Sequence, residues 1–253
     1  MAGSELQPSA YVRDFNRFEQ KYLVRIDDAR ALAAELAGFA EPDPHSGPEG
    51  YSIHSQYWDS PELRFFWEKL DGQKFRRKLR LRRYARGDEA FVEIKQRTDR
   101  TVQKRRARRT VAELVALFDR GELDADLERE ETDPVVREAL VLCREHRLAP
   151  KIAVSYRRQA WFARFESDLR ITLDTRLMFD AHVLDLARPF ESGSWILPPD
   201  LAVLELKYNQ RVPLWLVALA KKHRLELVRF SKYCAAIDLA FHAGRHALAP
   251  QPR

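Results

Sequence analysis

Residues 75–84 alternate with period two: Lys78, Arg80, Arg82 and Tyr84 fall on one parity, Phe75, Leu79 and Leu81 on the other. Successive side chains of a strand point to opposite faces, so this spacing predicts a strand with one cationic and one aliphatic side. Residues 91–97 repeat the pattern, with Glu93, Lys95 and Arg97 opposite Val92 and Ile94. The polar stretch Ala85-Arg86-Gly87-Asp88-Glu89 between them predicts the turn of a β-hairpin.

Similar alternation recurs along the chain. Arg17, Glu19 and Lys21 share a parity apart from Phe18, Tyr22 and Val24; Tyr51, Ile53, Ser55 and Tyr57 alternate through 51–59. Residues 152–162 place Tyr156 and Arg158 together. Arg170 and Thr172 oppose Leu169, Ile171 and Leu173, and Asp174 continues the polar side. Residues 202–208 set Val203, Glu205 and Lys207 against Leu204 and Leu206. The run Arg100, Lys104, Arg105, Arg106, Arg108 and Arg109 reads either as a basic loop or as a further charged strand.

Helices are marked by their ends. Asp27 or Asp28 caps a segment running to Leu36 and stopped by Gly38, and Ser60-Pro61 opens one closing near Asp71-Gly72. Thr110-Val111-Ala112-Glu113 is a capping box. Asp133-Pro134 opens a helix over 134–147, Pro213 an apolar one, and Ser231-Lys232 a terminal one that fades at Gly244. Residues 41–50, rich in Pro and Gly, read as a loop.

Like charges in a row repel by about 1 kcal/mol per close pair in water, and by about 4 where the effective dielectric falls to ~20. A sheet with its charged side in solvent accommodates this. So does a closed antiparallel barrel with a polar interior, which also removes the sheet edges. The carboxylates Glu19, Glu93 and Glu205 among the cations favour the barrel. Carboxylate oxygens suit Mg²⁺ or Mn²⁺, and Arg and Lys suit phosphoryl oxygens, so the mixture points to a metal-bridged polyphosphate.

Composition narrows the partners. The chain has 253 residues, 45% of them hydrophobic, enough for a core in one large domain or two small ones. No repeat or shift in composition divides it. A net charge of +6 suggests an anionic partner. The basic run lacks interleaved aromatics, which disfavours nucleic acid. Cys143 and Cys234 are far apart, the seven His lack ligand spacing, and no G-x-x-x-x-G-K-[ST] loop is present. With no apolar run of membrane-spanning length and no signal-peptide pattern, the expectation is a cytoplasmic protein without a transmembrane segment.

The motifs RFEQKYLV, YWDSPELRFFWEKLDG, KLRLRRY, FVEIKQR, SYRRQAW, LRITLDT, LAVLELKYN and FSKY follow one another in order. In that order and spacing the chain resembles the VTC-type polyphosphate polymerase domain, a branch of the triphosphate tunnel metalloenzymes related to CYTH domains. The resemblance spans residues 13–243, leaving 1–12 as a lead and 244–253 as a tail. It implies an α+β fold: an eight-stranded antiparallel β-barrel tunnel with a polar, basic interior, covered by helices.

It further implies that ATP or another triphosphate and polyphosphate are substrates, with Mn²⁺ or Mg²⁺ as cofactor. Lys21, Arg80, Arg82, Lys95, Arg158 and Arg170 match its phosphate-handling cations. Lys104, Tyr156, Lys207, Ser231 and Lys232 fall to substrate binding, and Glu205, with Glu93 and Glu19, to the metal. CYTH enzymes begin with E-x-E-x-K, whereas this chain has Arg17-Phe18-Glu19-Gln20-Lys21. That exchange fits a polymerase better than a triphosphatase. Triphosphate hydrolysis and a non-catalytic polyphosphate or nucleotide sensor are the alternatives, and relatives suggest a membrane-bound partner subunit.

Overall fold

A computed structural model describes residues 18–242 apart from 48, 85–86, 100, 119–124 and 210. Arg17, Arg100 and Gly244 therefore lie outside the described residues. The elements follow in order as β1 (Phe18–Arg25), α1 (Ile26–Leu36), β2 (Ala40–Pro42), β3 (Tyr51–Asp59), α2 (Arg64–Leu70), β4 (Phe75–Tyr84), β5 (Glu89–Thr98) and β6 (Thr101–Thr110). Then come α3 (Val111–Phe118), α4 (Ala125–Glu130), α5 (Pro134–His146), β7 (Ala149–Ala163), β8 (Arg170–Asp180), β9 (Ser194–Trp195), β10 (Leu201–Tyr208), α6 (Leu214–Lys222), β11 (Glu226–Leu227) and α7 (Lys232–Phe241). No helix among the described residues is long and apolar enough to cross a membrane.

The strands form one sheet, antiparallel at every pairing, in the order β11-β1-β10-β8-β7-β3-β4-β5-β6, with β2 on β7 and β9 on β8. Eight of these strands are long, as the resemblance implies, but their hydrogen bonding does not close into the expected barrel. The reason lies at β1, whose edge opposite β10 is used by β11 through Tyr22↔Leu227 and Leu23↔Glu226. β6, at the other end of the path, pairs only with β5 among the described residues. The sheet nonetheless curls far enough for side chains to meet across the gap: Lys95 Nζ of β5 lies 3.4 Å from Glu19 Oε2 of β1.

The basic run at 101–110 is a strand: it pairs with β5 from Glu89↔Thr110 to Thr98↔Thr101, and its Ala107 lies on the side covered by α3 and α5. There Leu79, Leu81, Val92 and Ile94 pack with Leu114, Val136 and Leu140. On the same outer face, towards the other end of the strand order, α1 and α6 cover Ile171, Leu204 and Leu206 with Leu32, Leu36 and Leu216. α7 behaves differently. Its Tyr233 and Ile237 pack with Ile152, Val154 and Ile53, which share the parity of Tyr156 and Ser55, so this helix lies on one end of the polar face itself.

Two caps differ from expectation. α1 starts at Ile26 directly out of β1, so Asp27 and Asp28 sit inside its first turn, where they complement the helix dipole rather than cap it. α2 begins at Arg64, after a turn with Leu63 in the left-handed region at φ 58°. Its end is capped jointly: Ser60 Oγ accepts from Arg64 N at 3.1 Å, and the Asp59 carboxylate accepts from Phe65 N at 2.8 Å and Phe66 N at 3.0 Å. The Thr110–Glu113 box, the Asp133 cap and the Ser231 cap form as expected.

Candidate functional site

Strand register carries the charged positions onto one concave face. Lys21 pairs with Glu205, Glu205 with Thr172, Arg158 with Asp174, Tyr57 with Arg80, Arg80 with Glu93, and Lys95 with Lys104. An antiparallel ladder keeps opposed residues on the same side, so the band passes from strand to strand without leaving the face.

Three groups of ion pairs organise it. Glu93, 2% exposed, accepts from Arg80 Nε at 2.6 Å and Lys104 Nζ at 2.6 Å, with Arg82 Nη2 at 3.4 Å. Arg80 also donates to the Tyr57 hydroxyl at 2.9 Å. Asp174, wholly buried, takes both prongs of Arg158 at 2.6 and 2.7 Å and Lys232 Nζ at 2.5 Å. Arg158 reaches Glu205 at 3.6 Å, and Lys207 reaches it at 3.0 Å. Glu19 holds Lys21 at 2.6 Å, and Lys21 in turn donates to the Phe230 carbonyl at 3.1 Å.

The electrostatics follow from burial set against neighbours. Burial opposes charge on Glu93, but Arg80 and Lys104 outweigh it and bring the carboxyl down to about 2. Asp174 is likewise held well below the usual carboxylate range by Arg158 and Lys232, and Glu19 by Lys21 and Lys95. Burial dominates at Lys104, which falls to about 8, and lowers Lys207 as well. Lys21 moves the other way: Glu19 and Glu205 outweigh burial and raise it.

The face therefore brings together Lys21, Arg80, Arg82, Lys95, Lys104, Arg158, Lys207, Lys232, Glu19, Glu93 and Glu205. Tyr156 lies among them, with Lys232 4.7 Å and Arg158 5.2 Å from its ring centre. Arg170 sits at one end of the band, opposite Lys207, where it is bound to Asp43 at 2.9 Å. Ser231 is at the α7 end, capping that helix while its hydroxyl accepts from Lys78 at 2.7 Å. Side-chain atoms Ser55 Oγ, Thr172 Oγ1 and Arg82 Nε are buried on this face without a hydrogen-bond partner.

The family model of the VTC domain matches residues 16–241. The chain belongs to the VTC domain family. No curated protein matches it. Among solved structures, a candidate adenylate cyclase from Vibrio parahaemolyticus is 15% identical, covering 84% of this chain and 90% of that one at a TM-score of 0.42. A candidate adenylyl cyclase from Hippeastrum, with a dominant triphosphatase activity in its own description, is 14% identical over 90% and 96% of the two chains at 0.47. A candidate adenylate cyclase from Bacillus halodurans is 12% identical over 93% and 91% at 0.42.

The three acidic positions named for a metal do not form one cluster in this VTC domain. Glu19 and Glu205 interact with each other across β1 and β10, whereas Glu93 is enclosed by Arg80, Arg82 and Lys104. Among the described residues no three acidic, His or Cys side chains gather as a metal site. The Glu19–Glu205 pair still suits a hard cation, because Mg²⁺ commonly takes one or two carboxylates and completes its shell with substrate phosphates and water. Sequence reading passed over Asp174 and Tyr57 as site members. Asp174 follows the Arg170–Thr172 alternation and Tyr57 shares a parity with Ser55, but the partners that give them roles are 16 and 23 residues away.

Proposed function

We propose that this VTC domain is a metal-dependent polyphosphate polymerase, with the curled sheet serving as a tunnel around its substrates. The γ-phosphoryl group of ATP passes to a terminal oxygen of a polyphosphate chain. The bond from γ-phosphorus to the bridging oxygen breaks, the bond to the acceptor oxygen forms, and ADP leaves with the electron pair. The acceptor oxygen is already ionised and needs no base. Alignment and neutralisation of charge are then most of the catalytic task.

The observation that carries this reading is the concave face itself: ionised carboxylates hold more than their own number of Arg and Lys in fixed positions, beside buried polar atoms that lack partners. Arg80, Arg82 and Arg158 present planar guanidinium forks suited to phosphoryl oxygens. Lys21, Lys95, Lys207 and Lys232 act as point charges, Lys104 and Tyr156 line the chain, Ser231 offers a hydroxyl, and Arg170 receives the anion at the Asp43 end. Preorganised cations lower the barrier because they need not reorient as negative charge spreads in the transition state.

Glu19 and Glu205 would hold Mg²⁺ or Mn²⁺, with Glu93 keeping Arg80 and Lys104 in place. When bound, the metal supplies positive charge to the phosphoryl oxygens.

Hydrolysis is a second reading: Lys104, brought to about 8 beside Glu93, accepts a proton from water only in the fraction of molecules where it is neutral, which grows as the pH approaches 8. Incubating the protein with ATP and Mn²⁺ or Mg²⁺, with and without a short polyphosphate primer, separates the two by phosphorus NMR. Lengthened chains with ADP, lost in Glu205→Ala, support the polymerase. Free phosphate or pyrophosphate without lengthening assigns a hydrolase, and tight ATP binding without turnover a sensor.

A further inference from the structure

Lys78 is an inward cation of β4, two residues after Arg76, two before Arg80 and four before Arg82. Arg80 and Arg82 are held by Glu93, but Lys78 has no carboxylate partner among the described residues. Its ammonium donates to Ser231 Oγ at 2.7 Å, lies 3.9 Å from Cys234 Sγ, and stands 5.4 Å from the centre of the Tyr233 ring. Lys69, from the last turn of α2, has no hydrogen-bond or ion-pair partner among the described residues. Its electrostatic neighbours include Lys78, Arg76 and Lys21. Arg76 likewise has no carboxylate partner among the described residues, and it is registered opposite another cation, Arg97.

The two ends of the band thus differ. At the far end Arg170 is neutralised by Asp43 and Arg108 by Glu89. At the α2 and α7 end, Lys69 of α2 and Arg76 and Lys78 of β4 converge, none of them with a carboxylate partner among the described residues. Converging like charges in a partly desolvated place cost free energy unless an anion joins them. Burial followed by the neighbouring Lys78 and Arg76 brings Lys69 down to about 8, and burial lowers Lys78 too. Neither lysine is involved in the ion pairs that organise the rest of the face.

We infer that Lys69, Lys78 and Arg76 form a second anion-binding subsite at the α2/α7 end of the concave face, which holds phosphates of a polyphosphate chain distal to the reacting end. The inference rests on the polymerase reading and deepens it. The carboxylate-paired band handles a triphosphate unit, and the acid-free end adds affinity only for a chain long enough to reach it. The subsite therefore sets preference for long chains and fixes which end of the tunnel they occupy.

The test compares binding of tripolyphosphate and long-chain inorganic polyphosphate to the full chain by calorimetry, for the parent protein and for Lys69→Gln, Lys78→Gln and the double variant. Each substitution removes a repelled cation, so thermal unfolding should show the variants at least as stable as the parent. The parent is expected to favour the long chain. Each single variant should reduce long-chain affinity by about tenfold, the loss of one charge-assisted contact, while tripolyphosphate affinity changes by less than about threefold. A parent that binds both anions equally, or variants that weaken both alike or neither, would overturn the subsite while leaving the polymerase reading intact. A parent that binds neither anion would overturn both.

Discussion

Arg158 forks onto Asp174 in the interior of the sheet, with Nε 2.6 Å from Oδ1 and Nη2 2.7 Å from Oδ2. The pair joins β7 to β8 at opposed register positions and shares its carboxylate with Lys232 at the start of α7. Removing the acid strands two buried cations, which is costlier than losing a surface pair. Asp174→Ala is expected to destabilise the protein by about 3–5 kcal/mol. At about 2–4 °C per kcal/mol for a chain of this size, the thermal midpoint should drop by roughly 10 °C. Added tripolyphosphate should recover part of the loss, since an anion can replace the missing charge; scanning calorimetry with and without it checks both parts.

Glu93 sets an acid limit on stability. Its folded value of about 2 lies below the ordinary 4.5, so its contribution is present above pH ~4.5 and is lost as the pH falls toward 2. The amount is on the order of 3 kcal/mol. Denaturant unfolding between pH 6 and about 2.5 should show this decline, and Glu93→Gln should flatten it.

Arg80→Ala removes a guanidinium that touches both Glu93 and Tyr57 and leaves Lys104 and Arg82 to neutralise the acid. Triphosphate affinity is expected to fall by at least about tenfold with the fold retained by circular dichroism. Unchanged affinity in calorimetry would remove the phosphate-clamp role.

At Lys104 the sign runs opposite to that of Glu93. Its folded value of about 8 lies below the ordinary 10.5, so in the free protein the charge is disfavoured, and stability rises as the pH climbs through that window. An anion favours the charged form, so binding near pH 8 should draw protons from solution, and affinity should weaken above it. Calorimetry in two buffers of different ionisation enthalpy reads the uptake, which should shrink in Lys104→Gln.

Thr110→Ala serves as a structural control. The hydroxyl accepts from Glu113 N at 3.2 Å, so its loss should cost about 1 kcal/mol and leave anion binding unchanged. A change in affinity would show that α3 is coupled to the concave face.

How far the sequence could be read depended on the range of the interaction. β3 occupies 51–59, and the 110–113 box and the Asp133 cap close where the residue spacing puts them, since all depend on neighbours a few positions apart. The cap of α2 was less legible. Ser60 was visible as a cap, but Asp59, which caps through Phe65 N and Phe66 N, is also held by Tyr233 of α7, 174 positions away. The run at 101–110 stayed ambiguous until β5 and α5 supplied pairing and cover.

Alternation along single strands was enough to identify the cations and carboxylates of one face, because a pleated strand sends every second side chain the same way whatever its neighbours are. Which acid neutralises which cation was not contained in that pattern. Register set Glu93 opposite Arg80 and Arg106, within reach of the Lys104 ammonium, and the seating of α7 on the polar side brought Ser231 to Lys78. The order of strands let β11 take the edge of β1 and left the ring of hydrogen bonds open. Pairing and closure depend on contacts distant along the chain, so only the tertiary structure decided them.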